Sequence, residues 1–245
     1  MNFPAPSEVA VDAKQLWTAY PGRPPVLQGI DLQVKVGERL GVIGPNGVGK
    51  TTLFLTLCGL LPIRSGQVTL LGQPLVLGEF RPEVGLVFQD PNDQLFAPTV
   101  AEDVAFGLRN LGGSEQEITA GVQAALHHTG TLHLAERPPH HLSGGEKRMV
   151  AIAGILAMRP QLVLYDEPTA NLDLRARRRL IQFLHQTSQT LLLASHDLEL
   201  ILEVCERVIL LDQGRIWASG SPAQVMSQPD LMEAHGLEVP YSLRR

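Results

Sequence analysis

The sequence predicts an α/β chain with a mainly parallel core sheet and an antiparallel β edge, and three observations predict it. Leu40-Gly41-Val42-Ile43, Val84 to Phe88, Leu162-Val163-Leu164-Tyr165, Leu191-Leu192-Leu193-Ala194 and Val208-Ile209-Leu210-Leu211 are short unbroken apolar runs. Runs of this kind belong to strands covered by helices on both faces. Helical stretches separate most of them, which is the alternation of crossover units. Ile30, Leu32, Val34 and Val36 instead alternate with Asp31, Gln33 and Lys35. That period of two marks a strand with one face in water, as in an antiparallel edge sheet.

The middle of the chain reads differently. From about Pro91 to Met158 it contains three helix starts and no convincing strand, so it is expected to form an inserted helical lobe. Thr99-Val100-Ala101-Glu102, Ser114-Glu115-Gln116-Glu117 and Ser143-Gly144-Gly145-Glu146 each place a hydroxyl three residues before a glutamate. A capping box needs that spacing, because each side chain then satisfies a backbone donor of the other residue. Ser221-Pro222-Ala223-Gln224 repeats the device near the C-terminus, with proline at the first helical position. No internal repeat or low-complexity tract interrupts the chain.

Composition bounds the function. At 245 residues, 44% hydrophobic and 18% charged, the chain carries enough apolar mass for a sizeable core and is not a disordered protein. No apolar run approaches the ~18 residues that cross a bilayer. Met1-Asn2-Phe3-Pro4-Ala5-Pro6 lacks a charged stretch followed by a hydrophobic one, so neither secretion nor membrane insertion is expected. A net charge of -5 argues against a surface that grips nucleic acid. Cys58 and Cys205 lie in apolar stretches without ligand spacing and read as buried thiols of a reducing compartment.

The chemistry starts at Gly44-Pro45-Asn46-Gly47-Val48-Gly49-Lys50-Thr51-Thr52, which follows the apolar run Leu40–Ile43 and precedes the helical stretch Leu53–Leu60. Glycines let the backbone wrap closely around an anion while the helix presents its positive end, the context of a Walker A loop. Lys50 would reach the β- and γ-phosphates of a nucleotide, Thr51 would give its hydroxyl to Mg²⁺, and Thr52 would add a phosphate contact. A second acidic element, Asp166-Glu167, closes the apolar run Leu162–Tyr165. Successive strand side chains diverge, so Asp166 can support Mg²⁺ while Glu167 accepts a proton from, or orients, the water that attacks the γ-phosphate.

Between these elements stands Leu142-Ser143-Gly144-Gly145-Glu146-Lys147-Arg148, and with it the sequence resembles the ATP-binding-cassette (ABC) ATPases. The resemblance runs along essentially the whole chain. It implies a P-loop NTPase fold, with residues 1–245 as one nucleotide-binding domain: 1–90 and 159–245 form a RecA-like core plus the antiparallel β subdomain, and about 91–158 the helical subdomain with the signature motif. It implies that Tyr20 stacks on adenine, that Gln89 senses Mg²⁺ and the attacking water, that Asn171-Leu172-Asp173 is the D-loop, and that His196 in Ser195-His196-Asp197 is the switch histidine. It also implies that Ser143, Gly144 and Gly145 complete the ATP site of a second ATPase subunit in a head-to-tail dimer. Because this chain carries both half-sites, a homodimer is the economical expectation, with a related partner chain as the alternative.

Phe88 to Val100, with Val104-Ala105-Phe106-Gly107 and Val150 to Gly154, is similar to the ATPase subunits of energy-coupling-factor importers. His235-Gly236-Leu237-Glu238-Val239-Pro240 leans toward their cobalt/nickel branch. The implied protein is a peripheral ATPase on the cytoplasmic face of the membrane, docked through Gln89 to Phe106 on integral membrane subunits that bind the substrate. Vitamin importers of the same type, other ABC transporters and soluble non-transport cassettes are the alternatives. The last usually carry long insertions or tandem cassettes, for which this chain has no room.

His127, His128, His133, His140 and His141 lack the i, i+4 spacing that suits a shared ion, and read as part of a solvated lobe. Arg175, Arg177, Arg178 and Arg179 share a helix with Leu174, Ile181 and Leu184, which makes them a solvated face rather than a nucleic-acid patch. Three residues depart from the commonest cassette pattern: Tyr165 where a small aliphatic is usual, Asn171 where glycine is frequent, and Glu146 in place of glutamine.

Overall fold

A computed structural model describes residues 8–244; the reading made on Met1 to Pro6 lies outside the described residues. The elements run β1 (Val9–Thr18), β2 (Leu27–Lys35), β3 (Arg39–Ile43), α1 (Lys50–Leu57), β4 (Ile63–Leu70), β5 (Gln73–Pro74), β6 (Val84–Val87), α2 (Val100–Asn110), α3 (Glu115–His128), α4 (Gly144–Ala157) and β7 (Leu162–Asp166). They continue with α5 (Leu174–Gln186), β8 (Thr190–Ala194), α6 (Leu198–Val204), β9 (Arg207–Asp212), β10 (Arg215–Gly220), α7 (Pro222–Met226) and α8 (Pro229–Ala234). Two compact units divide the chain, one of residues up to 81 together with those from 188 onward, the other of residues 82–187.

The first unit holds an antiparallel sheet in the order β2-β1-β4-β5. Ile30, Leu32 and Val34 of β2 are buried, as the alternation requires, whereas Val36 lies past the strand end and is exposed. The same unit holds a parallel set in which β3 pairs with β8 on one side and β9 on the other, with β10 antiparallel beyond β9. Leu40 to Ile43 are in register with Arg207 to Leu210, and Val42 with Ala194. Because the three strands run the same way, the residues after Ile43 and after Ala194 leave by one edge, where α/β sheets bind ligands.

The second unit contains the parallel pair β6 and β7, with Val87 opposite Tyr165, and the helices α2 to α5. Helices α2, α3 and α4 close on a core of Val100, Val104, Ile118, Leu126, Val150 and Ala153. Thr99 caps α2 by accepting from the Glu102 N–H, and full capping boxes form at Ser114, Ser143 and Ser221. The helix lobe thus begins where local hydroxyl and carboxylate chemistry dictates. On α5, Leu180, Ile181, Phe183 and Leu184 face inward, but Leu174 is 86% exposed. It is the first helical residue and precedes the turn that meets the core.

Asp103 on α2 is buried, and its Oδ1 accepts from the Phe96 and Ala97 amides at 3.0 Å each. The loop before α2 therefore hangs on one carboxylate. Asp103→Ala leaves two amides without their acceptor, so it should cost about 2–3 kcal/mol of unfolding free energy in urea titration, and Asp103→Asn, which keeps the acceptor oxygen, less. Equal costs for the two variants would contradict this anchoring.

Both cysteines are free; Cys205 is buried and Cys58 half-buried, and burial pushes each thiol up to about 12. At pH 8 only about one thiol in ten thousand is then ionised, and the thiolate is the reactive form. Iodoacetamide should accordingly leave the native protein unlabelled over minutes and modify both residues after denaturation; native labelling at the rate of an exposed thiol would contradict the burial.

Candidate functional site

In the first unit the loop after β3 is shaped by contacts that only glycine permits. A Cβ on Gly44 would lie 1.9 Å from the Leu211 carbonyl oxygen, so the loop leaves β3 pressed against the end of β9. Gly49, at φ 112°, holds the left-handed N-cap position of α1, and no side-chain oxygen caps the first turn of that helix. A phosphate is the group that fits such an uncapped positive end. Lys50 is 7% exposed, and its Nζ donates to the carbonyls of Gly44 at 2.7 Å and Pro45 at 3.1 Å. The ammonium is thus drawn along the inside of its own loop, while Asn46, Gly47 and Thr51 remain exposed at the rim. Val48 is half-buried and Thr52 buried.

Tyr20, just past β1, reaches this loop: its hydroxyl and that of Thr52 are 3.4 Å apart. The turn after β8 is equally fixed. Ser195 is buried and accepts from the Asp197 N–H at 3.0 Å, and Asp197 caps α6 through the Leu200 N–H, which leaves His196 exposed between them. The ending singled out in the sequence also returns to this region. His235 Nδ1 is 2.8 Å from Asp212 Oδ2, its ring lies against Trp217, and a Cβ on Gly236 would come within 3.7 Å of Pro45.

In the second unit the register of β6 and β7 brings two candidates together. Val87 is opposite Tyr165, so Gln89 and Glu167, each two residues further on, leave the same edge of adjacent parallel strands. Asp166 and Glu167 are buried, and Gln89 is exposed. Glu167 adopts φ 45°, an uncommon backbone for a residue with a side chain, and its carbonyl accepts from the Ala170 N–H at 3.0 Å. Asn171, at φ 61°, likewise occupies the left-handed region, which asparagine tolerates. Its presence where glycine is frequent is therefore conformationally neutral. Tyr165 is 1% exposed, and burial pushes its phenol well above the usual range, so it acts as a neutral core residue of β7.

Ser143 and Gly144 are exposed at the start of α4. Gly145 is required by close approach, since a Cβ there would lie 2.6 Å from that of Ala176 on α5. Asp173 caps α5 by accepting from the Ala176 N–H at 2.7 Å. Ser143, Gly145, Glu146, Asp173, Arg175 and Arg179 line one cavity of about 150 Å³. Two of the arginines read as a solvated face thus border the signature helix.

Glu146 is held below the usual carboxylate range, first by the Ser143 hydroxyl and then by the Ser143 N–H. It is therefore ionised at neutral pH. A folded value below the unfolded one means that this cap contributes fully above about pH 4.5 and is lost as pH falls through the lowered value. The hydroxyl that donates to Glu146 cannot at the same moment donate to a phosphate.

Three residues around the Gln89 turn give no local signal in the sequence, because their partners are distant in the chain: Arg148 donates to the Phe88 and Gln89 carbonyls, Lys147 to Asn92 Oδ1 and Gln94 to the Ala151 carbonyl. Among the described residues, no group of three His, Cys, Asp or Glu side chains could hold a metal ion, and no helix is long and apolar enough to cross a membrane.

Comparison with known proteins gives these features a context. The family model described as ABC transporter matches residues 27–170. A Synechocystis protein named as an ABC transporter ATP-binding protein is 57% identical over 98% of this chain and 84% of its own length. The energy-coupling factor transporter ATP-binding protein EcfA of Methanothermobacter thermautotrophicus is 44% identical over 94% of this chain and 76% of its own. Among solved structures, CbiO1 of Clostridium perfringens, part of the ABC transporter complex cbiONQ, superposes with a TM-score of 0.83 at 34% identity, covering 93% of this chain and 94% of that one.

Proposed function

This chain belongs to the ABC transporter family as an ATP-hydrolysing subunit, and from that premise we propose that it powers an energy-coupling-factor importer for a micronutrient, cobalt or nickel ion. Residues 1–245 act as one nucleotide-binding domain. Two copies close head to tail, each presenting its Gly44–Thr52 loop to the ATP that the other copy's Ser143, Gly144 and Gly145 complete, with Asp173 beside them. The observation that carries hydrolysis is the parallel register that delivers Gln89 and Glu167 to one edge.

Within this reading Lys50 binds the terminal phosphates, Thr52 adds a phosphate contact and Tyr20 stacks on adenine. Glu167 takes a proton from the attacking water or orients it, Gln89 positions that water, and His196 steadies the γ-phosphate. The donor set fits Mg²⁺: hard oxygens from Thr51, Gln89 and Asp166, the chemistry that cation prefers. When bound, the ion would neutralise charge developing on the phosphates. ATP as second reactant is accounted for by an uncapped helix end joined to a buried ammonium.

Docking on integral membrane subunits at the cytoplasmic face is assigned to Gln89 to Phe106. Phe96 and Phe106 support it: both are exposed, and their rings stack edge to face at 4.9 Å. An exposed aromatic pair, one ring on the anchored loop and the other on α2, suits a protein contact. The likeness to EcfA supports the energy-coupling-factor class, and the choice of metal rests on the ending His235-Gly236-Leu237-Glu238-Val239-Pro240. The test is reconstitution of the chain with its co-purified membrane subunits in ATP-loaded vesicles. ATP-dependent uptake of radioactive cobalt or nickel is expected; uptake of a vitamin without either ion would move the chain to another branch, and nucleic acid in place of membrane subunits would overturn transport.

A further inference from the structure

The backbone of Gln89 is held from the helix that Ser143 begins. Arg148, on the second turn of α4, is 1% exposed. Its Nη1 donates to the Phe88 carbonyl and its Nη2 to the Gln89 carbonyl, each at 2.5 Å, while its Nε is among the buried polar atoms with no partner. Burial works against the charge of this guanidinium; Asp90 and Asp166 favour it. A buried arginine usually meets a carboxylate in a bidentate pair. Here both donor arms go instead to two consecutive main-chain oxygens, which fixes the position and the direction of the turn at Gln89.

The surrounding contacts extend the same grip. Lys147 Nζ donates to Asn92 Oδ1 at 2.8 Å, and Gln94 Nε2 donates to the Ala151 carbonyl at 2.8 Å. Gln94 Oε1 accepts from the Phe88 N–H at 3.4 Å, and Asp90 folds the turn by accepting from the Asn92 N–H at 2.8 Å. The segment from Phe88 to Gln94 is thus bonded to α4 along the turns that follow Ser143.

We propose that Arg148 is a positioning residue that makes the Gln89 turn move as one body with the helix led by Ser143. Contact of Ser143 with the partner copy's nucleotide then sets where Gln89 stands for the water attack in its own copy. This coupling rests on the roles given above to Ser143 and Gln89. Arg148 itself touches no reacting atom. Removing its donor arms loosens the turn without touching the Gly44–Thr52 loop, so the loss falls on kcat rather than on KM for ATP.

The test is steady-state ATPase of the full-length chain, with Arg148→Met, Arg148→Lys, Gln89→Ala and the double variant Gln89→Ala/Arg148→Met. Arg148→Met should lower kcat about tenfold with KM within about twofold, since small displacements of a positioning group carry losses of this size. Arg148→Lys, which still offers donors to carbonyls, should recover part of it. On the Gln89→Ala background Arg148→Met should cost nothing more, because its target is gone. A folded Arg148→Met at wild-type kcat, or one that costs the same factor with and without Gln89, would overturn the tether while leaving the site assignment intact. Gln89→Ala at wild-type kcat would instead overturn the role of Gln89, and the tether with it. Should Arg148→Met not fold, Arg148→Gln, which keeps one donor arm, decides by the same comparison on the two backgrounds.

Discussion

Glu167→Gln is expected to bind ATP within about twofold of the wild-type affinity and to lose about 10²- to 10⁴-fold in kcat, the range that a positioned general base contributes. Glutamine has nearly the shape of glutamate and can still hold a water, but it cannot take its proton. The residue is buried beyond the end of β7, in a backbone conformation that fixes where its side chain starts. The loss should therefore be chemical rather than structural, and unfolding by urea should be unchanged within about 1 kcal/mol, as for a substitution that creates no cavity. Phosphate release from saturated protein is the assay. A variant that turns over at the wild-type rate would remove Glu167 from the reaction.

Lys50→Ala is expected to act one step earlier. Its ammonium is held at 2.7 Å from the Gly44 carbonyl and 3.1 Å from that of Pro45, inside the loop that would receive the terminal phosphates. Charge-assisted bonds of this kind contribute about 1.5–3 kcal/mol each, so nucleotide binding should weaken by about 10- to 150-fold. The same variant should lower the barrier to loop distortion, since two carbonyls lose a donor. Calorimetric titration with ATP and with a nucleoside lacking phosphates separates the effects. The nucleoside should bind equally to both proteins, because adenine contacts are assigned to Tyr20; wild-type ATP affinity would contradict the role of Lys50.

Much of the fold was legible because its causes are local. Strands β3, β7, β8 and β9 each contain an unbroken apolar run, and their residues are nearly all buried. The helix starts at Ser114, Ser143 and Ser221 follow from hydroxyl-to-carboxamide or carboxylate spacing, and all three form the full box. The Gly44–Thr52 loop could be read from its glycine spacing between an apolar run and a helix, and the approach of the Leu211 carbonyl to Gly44 is a structural reason for the first of those glycines.

What the sequence hid is long-range. Nothing near Gln89 in the chain says that it stands level with Glu167; that follows from strand register across most of the second unit. Arg148 closes the Leu142–Arg148 run without any local sign of its burial, which comes only from packing under the Gln89 turn. Leu174 shares α5 with the buried Ile181 and Leu184 yet is exposed, because a first-turn residue is aimed by the preceding loop rather than by helical periodicity. Asn171 looked like a departure until its left-handed backbone made it an acceptable substitute for glycine.

The central claim is that two copies share each nucleotide, one through its Gly44–Thr52 loop and the other through its Ser143 helix. The most direct test is the solution mass of Glu167→Gln by light scattering, with and without Mg-ATP. The account predicts the 26.7 kDa chain alone and twice that mass with ATP, and reversion to the single chain when Ser143→Arg is added. ATP-loaded Glu167→Gln that remains at the mass of one chain would contradict it.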